Sequence, residues 1–281
     1  MPNKITAHRK RLGQVFLRDP LAIEKILQHA QLAPDETVLE IGPGRGALTK
    51  AIASRGNTLF AIEIDAYYAQ TLLQHFASIP HVQIIQADAR HYNYTQLPAP
   101  LVVMANLPYS TGTHILRRLF TDRNRFSRFI IMLQKEVADR LLAQPGTRAY
   151  SGLSIFFQYH AAIHRCFDVS RHAFTPRPEV DSTVIRLEPF ATPPWPSNNS
   201  DFLFTLVKCA FAHRRKTLRK NLLAVPNWQL NAADVEAILH RLDLPQMIRP
   251  QELDVPQFVA LAEAIQPLLL CQNPPRRRQS K

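Results

Sequence analysis

The chain is 281 residues long, enough to bury a sizeable core and to form one larger and one smaller domain, which excludes a single small module. Its 34 Lys+Arg against 22 Asp+Glu leave a net charge of +12, a balance that favours a polyanionic partner, either nucleic acid or an acidic membrane surface. Cys166, Cys209 and Cys271 form neither a disulfide framework nor a metal-ligand spacing, and no run reaches the ~18 apolar residues of a membrane helix, so a reducing, cytoplasmic setting is expected.

The opening arm carries Lys4, Arg9, Lys10 and Arg11, with no acid before Asp19. Asp19-Pro20 is a helix start, an N-cap followed by proline at the first helical position, and Ile23, Ile26, Leu27 and Ala30 then share one face. The focus of the chain comes next. Val38-Leu39-Glu40-Ile41 reads as a strand that stops at Gly42-Pro43-Gly44-Arg45-Gly46 and opens into a helix from Ala47 to Ala53. Three of the eight glycines occupy that turn, so it needs positive φ or close backbone approach. Gly42, Gly44 and Ala47 also satisfy the loose dinucleotide fingerprint. Glu40, however, would face and repel a pyrophosphate bound there. S-adenosylmethionine has no phosphate and carries a sulfonium and an ammonium, so an acid beside the glycines suits it better.

Asn57 to Asp65 reads as a second strand, and Glu63, about 20 residues past the turn, is spaced to reach a ribose diol. A helix from Ala66 to Ala77 leads to a third strand, Val82 to Gln86, beyond which Asp88 can accept a hydrogen bond from an adenine amino group. The fourth strand, Leu101 to Ala105, runs straight into Asn106-Leu107-Pro108-Tyr109. Ligands of open α/β sheets bind beyond the carboxyl ends of the strands, so this tetrapeptide is expected to face the crevice of Gly42, Glu63 and Asp88. A helix from Thr113 to Phe120, a fifth strand from Phe129 to Leu133 and a helix from Lys135 to Leu142 continue the alternation, which argues a parallel, doubly wound α/β sheet. Strand-like stretches at Ile163 to Val169 and Ser182 to Leu187 flank Phe174 to Asp181. Phe174 either closes the pocket or packs in the core.

Ala191 to Ser200, rich in Pro, Ser and Asn, is the expected boundary. The expected division is a catalytic domain over 1–190 with its basic arm, a linker over 191–200, a helical RNA-binding domain over 201–270 and a basic, disordered tail over 271–281. Helix-period apolar residues recur at Phe202 to Ala212, Thr217 to Leu223, Ala232 to Leu242 and Val255 to Ile265. Lys208, Arg214, Arg215, Lys216, Arg219 and Lys220 put six positive charges into thirteen residues without an acid, a pattern read as a phosphate clamp. The histidines are scattered without zinc spacing, so no metal is expected.

The chemistry concentrates at Asn106 to Tyr109. An exocyclic adenine amine is a poor nucleophile because its lone pair is conjugated with the ring. The amide oxygen of Asn106 and the main-chain carbonyl of Leu107 can each accept one of its N–H groups and push the nitrogen towards tetrahedral geometry. Its lone pair then faces the sulfonium methyl. Pro108 fixes the backbone and biases Leu107 to an extended conformation. Tyr109 offers a flat face for the base, a stack worth ~1–3 kcal/mol. Catalysis is then mostly positioning for in-line transfer.

Taken together, Leu12-Gly-Gln-Val-Phe-Leu17, Glu40-Ile-Gly-Pro-Gly44, Ile62-Glu-Ile-Asp65, Asp88-Ala89, Asn106-Leu-Pro-Tyr109, Met132-Leu-Gln-Lys-Glu-Val-Ala138, Phe174-Thr-Pro-Arg-Pro-Glu-Val-Asp-Ser182 and Arg214-Arg-Lys-Thr-Leu-Arg219 follow one another in a familiar order. They make the chain resemble, nearly end to end, the small-subunit ribosomal RNA adenine dimethyltransferases. The resemblance implies a Rossmann-like class I S-adenosylmethionine-dependent methyltransferase sheet with a small all-α C-terminal domain. It implies N6,N6-dimethylation of two adjacent adenines in a hairpin loop near the 3′ end of 16S rRNA, in an immature small subunit. It also implies contacts to S-adenosylmethionine at Leu17, Gly42, Glu63, Asp88 and Asn106. A monomer is expected. The chain departs from the family at Val15, where Asn or His is usual and helps to line the cofactor site. Two rival readings are a large-subunit rRNA adenine methyltransferase, opposed by the Arg214 to Arg219 stretch, and an RNA-binding ribosome-assembly factor with catalysis lost or secondary. Intact Glu63, Asp88 and Asn106 oppose a full loss of activity.

Overall fold

The structure, a computed structural model, describes residues 15–272. The expected basic arm, with Leu12 to Gln14 after it, and 273–281 of the expected tail lie outside the described residues, while Cys271 and Gln272, expected to begin the tail, instead complete the last helix, Val255–Gln272. Contacts divide the described chain into two compact units, one made of 15–138 with 161–191 and the other of 139–160 with 192–272. The sequence reading assigns 139–160 to the first domain. They belong by contact to the second, because Tyr150, Ile155 and Tyr159 are buried in the same apolar core as Leu206 and Phe258.

In the first unit the chain runs β1 (Phe16–Leu17), α1 (Pro20–Ala30), β2 (Thr37–Ile41), α2 (Ala47–Ala53), β3 (Leu59–Glu63), α3 (Ala66–His75), β4 (Val82–Gln86), β5 (Leu101–Asn106), α4 (Gly112–Thr121) and β6 (Phe126–Gln134). It closes with β7 (Ala161–Val169), β8 (Phe174–Thr175) and β9 (Ser182–Pro189). Seven strands form one sheet in the order β4-β3-β2-β5-β6-β9-β7, while β1 and β8 pair antiparallel as a separate ribbon. The five strands from β4 to β6 are parallel. β9 runs antiparallel to both β6 and β7. The connection from β7 to β9 contains no crossover α-helix, so the parallel pattern of the rest of the sheet cannot continue there.

β3 is buried along its whole length, and β5 along all but its last residue, as parallel strands covered on both faces must be. Local signals set the ends of the helices. Asp19 caps α1 by accepting from Leu21 N at 2.9 Å, and Asp65 caps α3 by accepting from Tyr67 N at 2.9 Å. At the other end of α1 the buried Arg128 of β6 donates to Ala30 O (2.9 Å) and Gln31 O (3.0 Å) while its guanidinium pairs with Glu36. These bonds satisfy carbonyls that a helix end leaves orphaned. The chain turns to opposite sides after β2 and β5: β3 and β4 lie on one side of β2, β5 and β6 on the other. Such a switch point opens a crevice at the strands' carboxyl ends.

The second unit takes the end of α5 (Lys135–Leu142), then α6 (Gly152–His160), α7 (Ser200–Ala210), α8 (Leu218–Leu223), α9 (Ala232–Arg241) and α10 (Val255–Gln272). Asn199, Thr217 and Asn231 cap α7, α8 and α9 through their side chains. α6 has no counterpart in the sequence reading. Its apolar and aromatic residues show no clean one-face pattern, because Ser154, Ile155, Phe157, Tyr159 and His160 are all buried. No described helix is long and apolar enough to cross a membrane.

Candidate active site

The glycine turn after β2 needs all three of its glycines in the left-handed region, with φ of 69° at Gly42, 55° at Gly44 and 77° at Gly46. Close approach is also real, but at two of them it is made by the protein itself. A Cβ on Gly44 would lie 2.8 Å from the Phe16 ring, and one on Gly46 would lie 2.6 Å from a Leu72 methyl. At Gly42 a Cβ would meet nothing within 4 Å. The open backbone is therefore at the first glycine. Glu63, at the end of β3, holds the turn from the side: its Oε2 accepts from Gly44 N at 2.8 Å and its Oε1 from Asp65 N at 2.9 Å.

Leu17, Gly42, Glu63, Asp88 and Asn106 line one cavity, together with Leu107 and Pro108. The topology brings them there, since β2, β3, β4 and β5 end at the same edge of the sheet. Tyr109 is not among the lining residues. Its hydroxyl instead meets the Oγ of the buried Ser182 at 2.7 Å. Phe174 is only 2 % exposed and belongs to the apolar core, so of its two readings the packing one holds.

Asn106 carries the most specific feature of the site. Its Nδ2 donates to the main-chain carbonyl of Val15 at 3.1 Å, and its Oδ1 is buried without a hydrogen-bond partner. The opposite amide orientation would set two oxygens against each other, so the contact fixes which end is free. The next residues are held as firmly. Leu107 N donates to Met132 O at 3.1 Å, and the turn's own bonds run from Thr111 N and Gly112 N to the Pro108 carbonyl. Val15 thus lines the cavity and contributes through its main chain.

Three acids surround the cavity in different electrostatic states. Glu40 is buried at 2 % exposure, and burial pushes its carboxyl up to about 8, opposed by the Thr49 hydroxyl and reinforced by Glu63. Neither Glu40 Oε2 nor Thr49 Oγ1 completes a hydrogen bond of ordinary geometry. Burial also raises Glu63, against the backbone N–H groups of Asp65 and Gly44. Asp88 goes the other way: the Arg90 guanidinium holds it below the usual carboxylate range. Arg90 lines the same cavity, although in the sequence it stands only as one more basic residue.

The second unit sorts the basic run into two kinds of residue. Arg214 donates from Nη2 to the carbonyls of Arg148 (2.6 Å) and Tyr150 (3.1 Å), and Arg219 pairs with Glu236 at 2.7 Å. These two are engaged in holding the fold together. Arg215, Lys216 and Lys220 are exposed, and their side chains have no partner among the described residues. Arg148, exposed and brought beside Arg214 by the loop before α6, adds a basic side chain that its distance in sequence conceals.

The family described as "Ribosomal RNA adenine dimethylase" matches residues 5–254 of the chain. "Ribosomal RNA small subunit methyltransferase A" of Hahella chejuensis is 38% identical over 260 residues, covering 92% of each protein. Its counterpart in Anoxybacillus flavithermus is 37% identical over 268 residues, covering 92% of this chain and 91% of its own. Among solved structures, a dimethyladenosine transferase from Plasmodium falciparum matches with a TM-score of 0.75 and 25% identity, over 88% of this chain and 95% of its own. The 23S rRNA methyltransferase ErmE matches with a TM-score of 0.69 and 25% identity, over 89% of this chain and 99% of its own.

Proposed function

The chain belongs to the ribosomal RNA adenine dimethylase family, and from that premise we propose how the residues around the cavity perform N6,N6-dimethylation of small-subunit rRNA. It is an rRNA adenine dimethyltransferase on a class I methyltransferase fold. The finer reading is a monomer acting in the cytoplasm on two adjacent adenines of a hairpin loop near the 3′ end of 16S rRNA, in an immature subunit.

The cavity fits S-adenosylmethionine in its donor set. It offers open backbone at Gly42, a buried, neutral carboxyl at Glu40 with one unpartnered oxygen able to accept an N–H of the cofactor's ammonium, and carboxylates at Glu63 and Asp88 for hydroxyl and amino groups. When bound, the cofactor supplies an electrophilic methyl on a sulfonium. Everything else is done by this chain. The observation that carries the reading is the partnerless, buried Oδ1 of Asn106. That oxygen accepts one N–H of the target amine, and the Leu107 carbonyl accepts the other. Val15 O keeps the amide from rotating. With two acceptors fixed, the amine's lone pair is drawn out of conjugation and aimed before transfer begins, which is where positioning lowers a barrier. No strong base is required, since the nitrogen becomes acidic as it is methylated and its proton passes to water. Tyr109, tethered through Ser182, gives the base a face to stack on beside the cavity. Arg215, Lys216 and Lys220 take rRNA phosphates.

A large-subunit substrate is the enzymatic rival, because ErmE shares the fold. Relatives 37–38% identical over nine-tenths of the chain are named as small-subunit enzymes, and this favours the small subunit. The test is labelled methyl transfer to purified small and large subunits lacking the modification. Label in small-subunit rRNA alone is expected, and label in the large subunit would overturn the assignment.

A further inference from the structure

In the proposed function Asp88 is the carboxylate that accepts the cofactor's adenine amine, and the role inferred for its neighbour Arg90 rests on that reading. A carboxylate offers about four acceptor sites. In this structure one residue engages Asp88 through four hydrogen bonds. Arg90 donates from its backbone N to Oδ1 at 2.9 Å, from Nε to Oδ1 at 3.0 Å and to Oδ2 at 3.1 Å, and from Nη2 to Oδ2 at 2.6 Å. The two residues are neighbours but one in the chain, so the guanidinium is always at hand. Both line the cavity. An amine approaching from the cavity therefore meets an acceptor already in use.

We infer that Arg90 is a built-in competitor for the adenine-recognising carboxylate, and so a determinant of how tightly and how selectively this enzyme holds its cofactor. Binding of adenine exchanges part of the guanidinium fork for the incoming N–H. The exchange is feasible because the pair is open to solvent, with 42% of the Arg90 side chain and 24% of the Asp88 side chain exposed. A displaced guanidinium is rehydrated at once. The backbone N–H of Arg90 can stay on Oδ1, so the carboxylate keeps its orientation while its other oxygen changes partner.

The experiment is calorimetric titration of the full chain with S-adenosylhomocysteine and with the analogue whose adenine amino group is replaced by hydrogen. Wild type, Arg90→Ala and Arg90→Leu are compared, with thermal melts to confirm that the exposed substitutions leave the fold intact. Both variants are expected to bind S-adenosylhomocysteine roughly two- to fivefold more tightly than wild type, the range set by replacing one solvent-exposed ion pair. The gain should vanish with the deaminated analogue, and it should vanish when Asp88→Ala is combined with Arg90→Ala. Unchanged or weaker binding by the variants, or an equal gain with both ligands, overturns the inference while leaving the pocket's assignment standing. A wild-type chain that binds neither ligand overturns the assignment itself, and the inference with it.

Discussion

Glu40 and Asn106 show how much of this site depends on single atoms. A carboxyl buried as Glu40 is, with its pKa raised to about 8, is held as the neutral acid while the unfolded chain ionises near 4.5. Between those values the unfolded state binds fewer protons than the folded one, so stability falls as pH rises from about 4.5 to about 8 and then levels off. Glu40→Gln removes the dependence. Its melting temperature should exceed that of wild type at pH 8 by at least about 3 °C and nearly match it at pH 4, below both values, at the ~2–4 °C per kcal/mol usual for chains of this size. An equal or lower value at pH 8 would contradict the neutral acid. At this scale the sequence is readable wherever residue type carries the chemistry: the glycines, Glu63, Asp88 and Asn106 can be named from type and spacing. It is silent on the Val15 carbonyl, because every residue has one and only the fold brings this one to Asn106. It is silent too on how Tyr109 is held, since the stacking face is legible but the tether to Ser182 spans 73 residues.

Elements place these atoms, and their ends are where substitutions should tell. Gly44→Ala puts a side chain at φ 55° and within 2.8 Å of Phe16, so it should lower unfolding free energy in urea by more than the ~1–2 kcal/mol of left-handed strain alone. Gly42→Ala meets open space and should cost no more than that strain. In the helical unit, Arg214→Ala should lower the melting temperature because the carbonyls of Arg148 and Tyr150 lose their shared donor, whereas Arg215→Ala should leave it unchanged. Parallel strands β2 to β6 are legible because short apolar runs alternate with helical stretches, even at β4, where only Val82 is buried. The antiparallel return of β9 and the all-round burial of α6 are not, since both depend on what packs against them and neither leaves a period in the sequence.

For the molecule as a whole, a net charge of +12 favours a polyanionic partner but does not say where one would sit. The basic run of the C-terminal unit is uniform in sequence and divided in the fold. Arg214 and Arg219 are tied down, so in the proposed function the phosphate contacts are assigned to the exposed Arg215, Lys216 and Lys220. Replacing those three by alanine should weaken rRNA binding without changing the melting temperature. It should also flatten the dependence of log affinity on log salt by about 0.7–0.9 for each phosphate that is no longer neutralised. A salt dependence that stays the same would remove them from the interface. The most direct test of the account as a whole is mass spectrometry of small-subunit rRNA after immature particles are incubated with S-adenosylmethionine and either the wild-type protein or its Asn106→Ala variant. Two methyl groups on each of two adjacent adenines with wild type, and none with a variant that still folds, is the predicted result. Methylation by the variant at the wild-type rate, or tight binding to the particle with no methylation by either protein, would contradict it.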